Sequence, residues 1–108
     1  MASTKEYCTY ILDQLSLLEE ITCRPMMGEY LLYYRGRLAG GIYDDRLLVK
    51  PTSAARRLLP NAPQELPYEG AKPMLLVEDT DDRAHLKALF EAMYDELPPP
   101  KKRKAYGK

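Results

Sequence analysis

Apolar positions along this chain first recur at helical spacing and then switch to alternation. Tyr7, Ile11, Leu15 and Leu18 fall three or four residues apart, with Tyr10 and Leu12 widening the stripe. That spacing predicts an amphipathic helix from Ser3 to Leu18. Ser3 and Glu6 have capping-box separation, so each can satisfy an unpaired donor at the helix start. Between Met26 and Lys50 the period becomes two, and the run is interrupted by two turn signals. Tyr34-Arg35-Gly36-Arg37 reads as a two-residue hairpin turn in which Gly36 takes positive φ, and Tyr43-Asp44-Asp45-Arg46 reads as a second. Three antiparallel strands follow from this reading.

Two-residue loops set Tyr34 opposite Arg37 and Tyr43 opposite Arg46, which sorts the side chains by face. One face receives Leu31, Tyr33, Leu38, Gly40, Ile42, Leu47 and Val49, and is apolar throughout. The other receives Tyr30, Leu32, Tyr34, Arg37, Ala39, Gly41, Tyr43, Arg46, Leu48 and Lys50, a mixed and tyrosine-rich set. An antiparallel sheet covered by helices on one side shows this contrast. A one-residue slip exchanges the faces of a strand, so the pattern is firmer than any single assignment. Gly40 and Gly41 sit mid-strand, where a bulge or the close approach of a helix over Gly40 would account for them.

Pro51 ends the third strand, and Thr52 or Ser53 caps a short helix over AARRLL that stops at Pro60. Leu66-Pro67-Tyr68-Glu69 reads as a short edge strand. Gly70-Ala71-Lys72 then turns the chain into a strand from Met74 to Glu78. Asp79, Asp81 and Asp82 mark the start of the last helix, where negative charge meets the positive helix end. Leu86, Leu89, Phe90, Met93, Tyr94 and Leu97 then give the clearest helical periodicity in the chain, ended by Pro98, Pro99 and Pro100. The expected architecture is α+β in two layers: helix, three strands, helix, two strands, helix, around an antiparallel sheet.

Length changes this picture little, since 108 residues suffice for one core and not for two. Residues 1–97 are read as that domain and residues 98–108 as a Pro/Lys-rich flexible tail. Charge adds more. The net charge of zero hides a tail bearing Lys101, Lys102, Arg103, Lys104 and Lys108 with no acid, against a body with 11 Lys/Arg and 16 Asp/Glu. An acidic body is a poor nucleic-acid binder, so binding of that kind would rest on Lys101, Lys102, Arg103 and Lys104 and weaken as salt rises. Cys8 and Cys23 show no CxxC or Cys/His spacing, and no apolar run approaches the ~20 residues of a membrane span. These features predict a reduced, cytoplasmic protein with two structural thiols and no membrane partner.

Candidate chemistry is sparse. The single histidine, His85, opens the last helix with no serine or cysteine beside it in an orienting arrangement, so no enzymatic activity is expected. Glu78-Asp79-Asp81-Asp82 and Asp44-Asp45 read as helix-start and turn residues, without the alternating ligands and central glycine of a calcium loop. Neither GxxxxGK[ST] nor GxGxxG occurs, so no cofactor is implied. The mixed sheet face offers more. Tyr30, Tyr34 and Tyr43 with Arg37 and Arg46 combine apolar area, hydroxyls and charge in the manner of a protein interface. These five are the expected partner-binding residues, for another protein or a second copy. A deep pocket near Gly40–Gly41 or Tyr68 would favour a ligand binder instead.

The segments YILDQL at 10–15, RPMMGEY at 24–30, LYYRGRLAGGIYDDRLLVK at 32–50 and ELPYEGAKPMLLVED at 65–79 resemble the TfoX/Sxy N-terminal domain family. The resemblance covers Tyr10 to about Leu97, and the hairpin block is its most specific part. It implies a fold similar to secretion chaperones, often paired into dimers, and a bacterial regulatory setting in the control of competence or transcription. Family namesakes usually carry a second, helical domain, so the chain resembles a free-standing N-terminal module. The resemblance carries over no catalytic residue. Met26-Met27-Gly28-Glu29 replaces a common Met-Phe-Gly-Gly, and Gly40-Gly41 stands where larger apolar residues are frequent.

Overall fold

The computed structural model describes residues 3–98. Within them, three helices and a six-stranded sheet form an α+β domain. The first helix, α1 (Lys5–Gln14), starts later and ends sooner than the expected span from Ser3 to Leu18. Thr4, not Ser3, is its cap, and its hydroxyl accepts the Tyr7 N–H at 3.1 Å. Ser3 is needed elsewhere. It is buried, donates to the Glu29 carboxylate at 2.7 Å and accepts the Asp45 N–H at 3.0 Å. Glu29 also accepts the Asp44 N–H, and Asp45 accepts the Thr4 N–H at 2.8 Å. These bonds fasten the start of α1 to the Asp44–Asp45 turn. Leu15 and Leu18 remain buried beyond the helix end.

Four strands follow, not three: β1 (Ile21–Met26), β2 (Glu29–Tyr34), β3 (Arg37–Ile42) and β4 (Leu47–Val49). The additional strand, β1, lies at the sheet edge, where Pro25 is tolerated because no outer neighbour needs its missing N–H. Its residues are mostly exposed, so the apolar alternation that marks a strand is weak there. Three tight turns link the four strands, at Met27–Gly28, Arg35–Gly36 and Asp44–Asp45. All six central residues have positive φ, as the twist of a two-residue hairpin requires. Both turns expected from the sequence are present.

After β4 the chain forms α2 (Ser53–Leu58), capped by Thr52, whose hydroxyl accepts the Ala55 N–H. Then come β5 (Gln64–Glu65), β6 (Met74–Leu76) and α3 (Arg83–Met93), with a 3-10 turn over Tyr94–Glu96. The edge strand expected at Leu66–Glu69 falls two residues earlier, and 66–73 is the loop joining β5 to β6. Asp82 caps α3 by accepting the His85 N–H. The sheet order is β1-β2-β3-β4-β6-β5, antiparallel throughout.

All three helices contribute to one core on one side of the sheet. Ile11 and Leu15 from the α1 region, Ala54 and Ala55 from α2, and Leu86, Leu89, Phe90 and Met93 from α3 pack with sheet residues. The sheet supplies Leu32, Tyr34, Ala39, Ile42, Leu47, Val49, Leu75 and Val77. For β4 the expected faces are those observed, with Leu47 and Val49 inward. For β2 they are exchanged.

The cause is one extra residue in β3. Tyr33 pairs with Leu38, but Leu32 pairs with Gly40, leaving Ala39 without a partner on β2. Such a bulge shifts the alternation of one strand against its neighbour. Tyr30, Leu32 and Tyr34 therefore share the helix side with Ile42, Leu47 and Val49, while Leu31 and Tyr33 turn away. Gly40 permits the irregularity. A Cβ there would lie 2.1 Å from the Leu48 carbonyl oxygen and 2.8 Å from the Val49 Cα. The close approach foreseen over Gly40 thus comes from the β4 backbone and not from a helix.

Candidate functional site

The five residues expected to make one partner surface are divided between the two sides of the sheet. Tyr34 is 6% exposed and lies in the helix-side core, edge-on to Phe90 and Tyr94 at centroid separations of 6.5 and 5.6 Å. Arg37 accompanies it. The Arg37 guanidinium stacks 4.3 Å from the Tyr94 ring centroid and donates to the carbonyls of Tyr94 and Leu97. It thereby adds a side-chain donor at the end of the last helical segment, to the Leu97 carbonyl and to the Tyr94 carbonyl that already accepts the Leu97 N–H. Its Nε is buried without a hydrogen-bond partner among the described residues. Tyr30 is half-buried against the same core.

Tyr43 and Arg46 lie on the opposite, helix-free side. Neither is an open contact residue. Tyr43 is 5% exposed, with the Tyr68 ring 6.3 Å from its own, and Arg46 forms an ion pair with Glu65 and donates to the Leu66 carbonyl. A mixed surface of Tyr30, Tyr34, Arg37, Tyr43 and Arg46 is therefore not formed, because the bulge carries three of them inward. The alternative nucleic-acid residues, Lys101, Lys102, Arg103 and Lys104, lie outside the described residues.

What occupies the helix-free side is the loop 66–73. It runs from β5 back across the sheet, anchored by Arg46 at its start and by a buried Pro67. Between this loop, the sheet and the start of α2 lies an open cleft of about 760 Å³. Leu38, Tyr43 and Met74 contribute apolar surface to it, Tyr68 forms an exposed lip, and Lys50 and Lys72 bring positive charge. Tyr68 is 57% exposed, and neighbouring Leu66 is 48% exposed. Neither lysine is ion-paired with another described residue. At the far end Glu96 accepts the Ser53 N–H at 2.6 Å, so part of its acceptor capacity is used.

Within the cleft the surroundings of Tyr43 favour its neutral hydroxyl. Burial pushes the Tyr43 phenol above its usual range, with smaller contributions from Tyr68, Glu29 and Tyr33. Tyr43 thus stays protonated at neutral pH and presents an uncharged ring to the cleft. His85 is half-buried beside a smaller hollow with Leu58, Asn61 and Asp79, remote in the chain from this cleft. Among the described residues no group of three or more His, Cys, Asp and Glu side chains is arranged to hold a metal ion.

Sequence reasoning placed Tyr43, Arg46 and Lys50 on the correct side of the sheet, and it flagged the neighbourhood of Gly40 and Tyr68. It missed Leu38, Lys72 and Met74. The only signal for Lys72 was the Pro- and Gly-bounded segment LPYEGAKP, an aromatic and a lysine held between residues that build loops, whereas Leu38 was expected on the helix-covered face and Met74 in the strand after the loop.

These features define a small α+β domain whose antiparallel sheet carries helices on one side and a loop-covered cleft on the other. The chain belongs to the TfoX N-terminal domain family, which matches residues 13–96 and is linked to competence regulation. It is 34% identical over 109 residues to an uncharacterized 12.7 kDa protein in the trpE 5' region of Spirochaeta aurantia, covering 100% of this chain and 95% of that protein. No solved structure matches it. Among the described residues no helix is long and apolar enough to cross a membrane.

Proposed function

We propose that this domain is a cytoplasmic regulatory adaptor that acts by protein contact, in the control of competence or transcription, and docks its partner in the cleft beneath Tyr68. The single observation that supports this reading is the cleft's composition. An apolar floor, an exposed aromatic lip and two lysines with no ion pair to another described residue suit an extended protein segment carrying an apolar anchor beside acidic residues. Aromatic anchors in concave surfaces supply a large share of interface energy, and charges at the rim mainly accelerate and orient the encounter. The rigid sheet beneath holds that floor in place.

The double variant Tyr68→Ala/Lys72→Glu removes the lip and reverses one charge without entering the helix-side core. It is expected to keep the wild-type circular dichroism and to lose at least tenfold in affinity for the partner recovered on immobilised wild-type domain. Light scattering distinguishes a second copy from a different protein as that partner. Equal capture by wild type and variant would remove the cleft from consideration.

A further inference from the structure

The cleft leaves unused the two most oxidisable side chains of the domain. Cys8 lies on α1 and Cys23 on the edge strand β1, fifteen residues later, yet their Sγ atoms are 3.4 Å apart. Cys8 is buried and Cys23 is half-buried, and both are free thiols. They are the only two cysteines of the chain, so the fold pairs each with its one available partner. We propose that Cys8 and Cys23 are an oxidation site, at which hydrogen peroxide converts the two thiols into a reversible disulfide joining α1 to β1.

The more accessible sulfur, that of Cys23, reacts first. As a thiolate it attacks one peroxide oxygen, the O–O bond breaks, and Cys23 becomes a sulfenic acid while the other oxygen leaves and is protonated to water. Cys8 then loses its proton, and its sulfur attacks the Cys23 sulfur. The S–O bond breaks, and the departing hydroxide takes up a proton as a second water. Two thiols have lost two electrons and two protons, and one peroxide has become two waters. A dithiol reductant reverses the bond by exchange.

Two features of the pair support this assignment. The sulfurs are already near contact, so a shift of about 1.4 Å brings them to disulfide length. They sit on separate elements, one of which is an edge strand with a single neighbour and hence freer to adjust. Burial, then the hydrogen bond to Cys8 and its charge, pushes the Cys23 thiol up to about 12. At neutral pH only a small fraction of Cys23 is thiolate, so its oxidation is slow and calls for a high peroxide concentration.

The test uses the full chain, treated with hydrogen peroxide and analysed by intact mass and non-reducing peptide mapping. The expected product is a monomer that has lost two hydrogens, contains a Cys8–Cys23 linked peptide and returns to the dithiol with dithiothreitol. Its Tm should rise by roughly 5–15 °C, because the link closes a loop of the unfolded chain. Cys8→Ser should instead yield Cys23 oxidised to sulfinic or sulfonic acid, or a dimer linked through Cys23. Over-oxidised Cys23 with Cys8 still free in the wild-type chain would overturn the proposal. So would intermolecular disulfides as the main product, or two thiols that survive peroxide able to oxidise the urea-unfolded chain.

Discussion

Tyr34→Ala is expected to destabilise the domain by about 3–5 kcal/mol, the range for removing a large aromatic side chain from a packed core. Tyr33→Ala, one residue away, is expected to cost about 1 kcal/mol, since its half-buried ring lies on the helix-free side. The contrast follows from the bulge at Ala39, which aligns Leu32 with Gly40 and Val49 and turns Tyr34 toward Phe90 and Tyr94. Losing Tyr34 would also remove an edge-to-face partner from both rings and loosen the seat of Arg37. Urea unfolding followed by circular dichroism measures both variants. Equal costs, or a larger cost at Tyr33, would mean that β2 presents the opposite face.

Gly40→Ala is expected to cost about 3 kcal/mol or more, although alanine is the smallest change that adds a Cβ. The added carbon would sit 2.1 Å from a backbone oxygen and 2.8 Å from a backbone carbon of β4. A main chain bonded on both sides cannot rotate aside as a flexible side chain does. The β3–β4 pairing must open or the bulge must rearrange. Gly41→Ala is expected to cost less, since two of its near atoms belong to the Tyr43 ring, at 2.7 and 2.9 Å, which can shift. Its third near atom, the Tyr30 carbonyl oxygen at 2.6 Å, keeps that cost above that of an ordinary surface change. Thermal unfolding of the two variants gives the order. A Gly40 variant as stable as the wild type would contradict the close β3–β4 approach.

The contrast between Tyr34 and Gly40 also shows how far the amino-acid sequence carries. Helix starts were legible at Thr52 and Asp82, where a capping residue stands before the helical run. The Arg35–Gly36 and Asp44–Asp45 turns were legible because residues tolerant of positive φ punctuate alternating apolar runs. The faces of β3 beyond the bulge and of β4 followed from the second turn. The face of β2 did not, because a single unpaired residue changes the parity of everything beyond it. Gly40–Gly41 signalled that irregularity without fixing its position. β1 escaped because an exposed edge strand with an internal proline lacks the alternation that reveals buried strands. Ser3 misled in another way, since capping-box spacing was right while a long-range bond to Glu29 claimed the hydroxyl.

The candidate site was half legible for the same reason. Tyr43, Arg46 and Lys50 were placed on the helix-free side by turn geometry alone. The loop that covers that side folds across the sheet from the β5–β6 connection, a tertiary arrangement with no local periodicity to announce it. Tyr68 became a lip, and Tyr43 a floor, only through that fold-back.

Hydroxyl-radical footprinting of the tyrosines tests the arrangement most directly. Tyr68, at 57% exposure, should be modified rapidly, and Tyr34 and Tyr43, at 6% and 5%, should be protected until the domain unfolds. Modification of Tyr34 in the folded domain at a rate similar to Tyr68 would contradict the inward turn of β2, and with it the separation of a closed helix side from an open cleft.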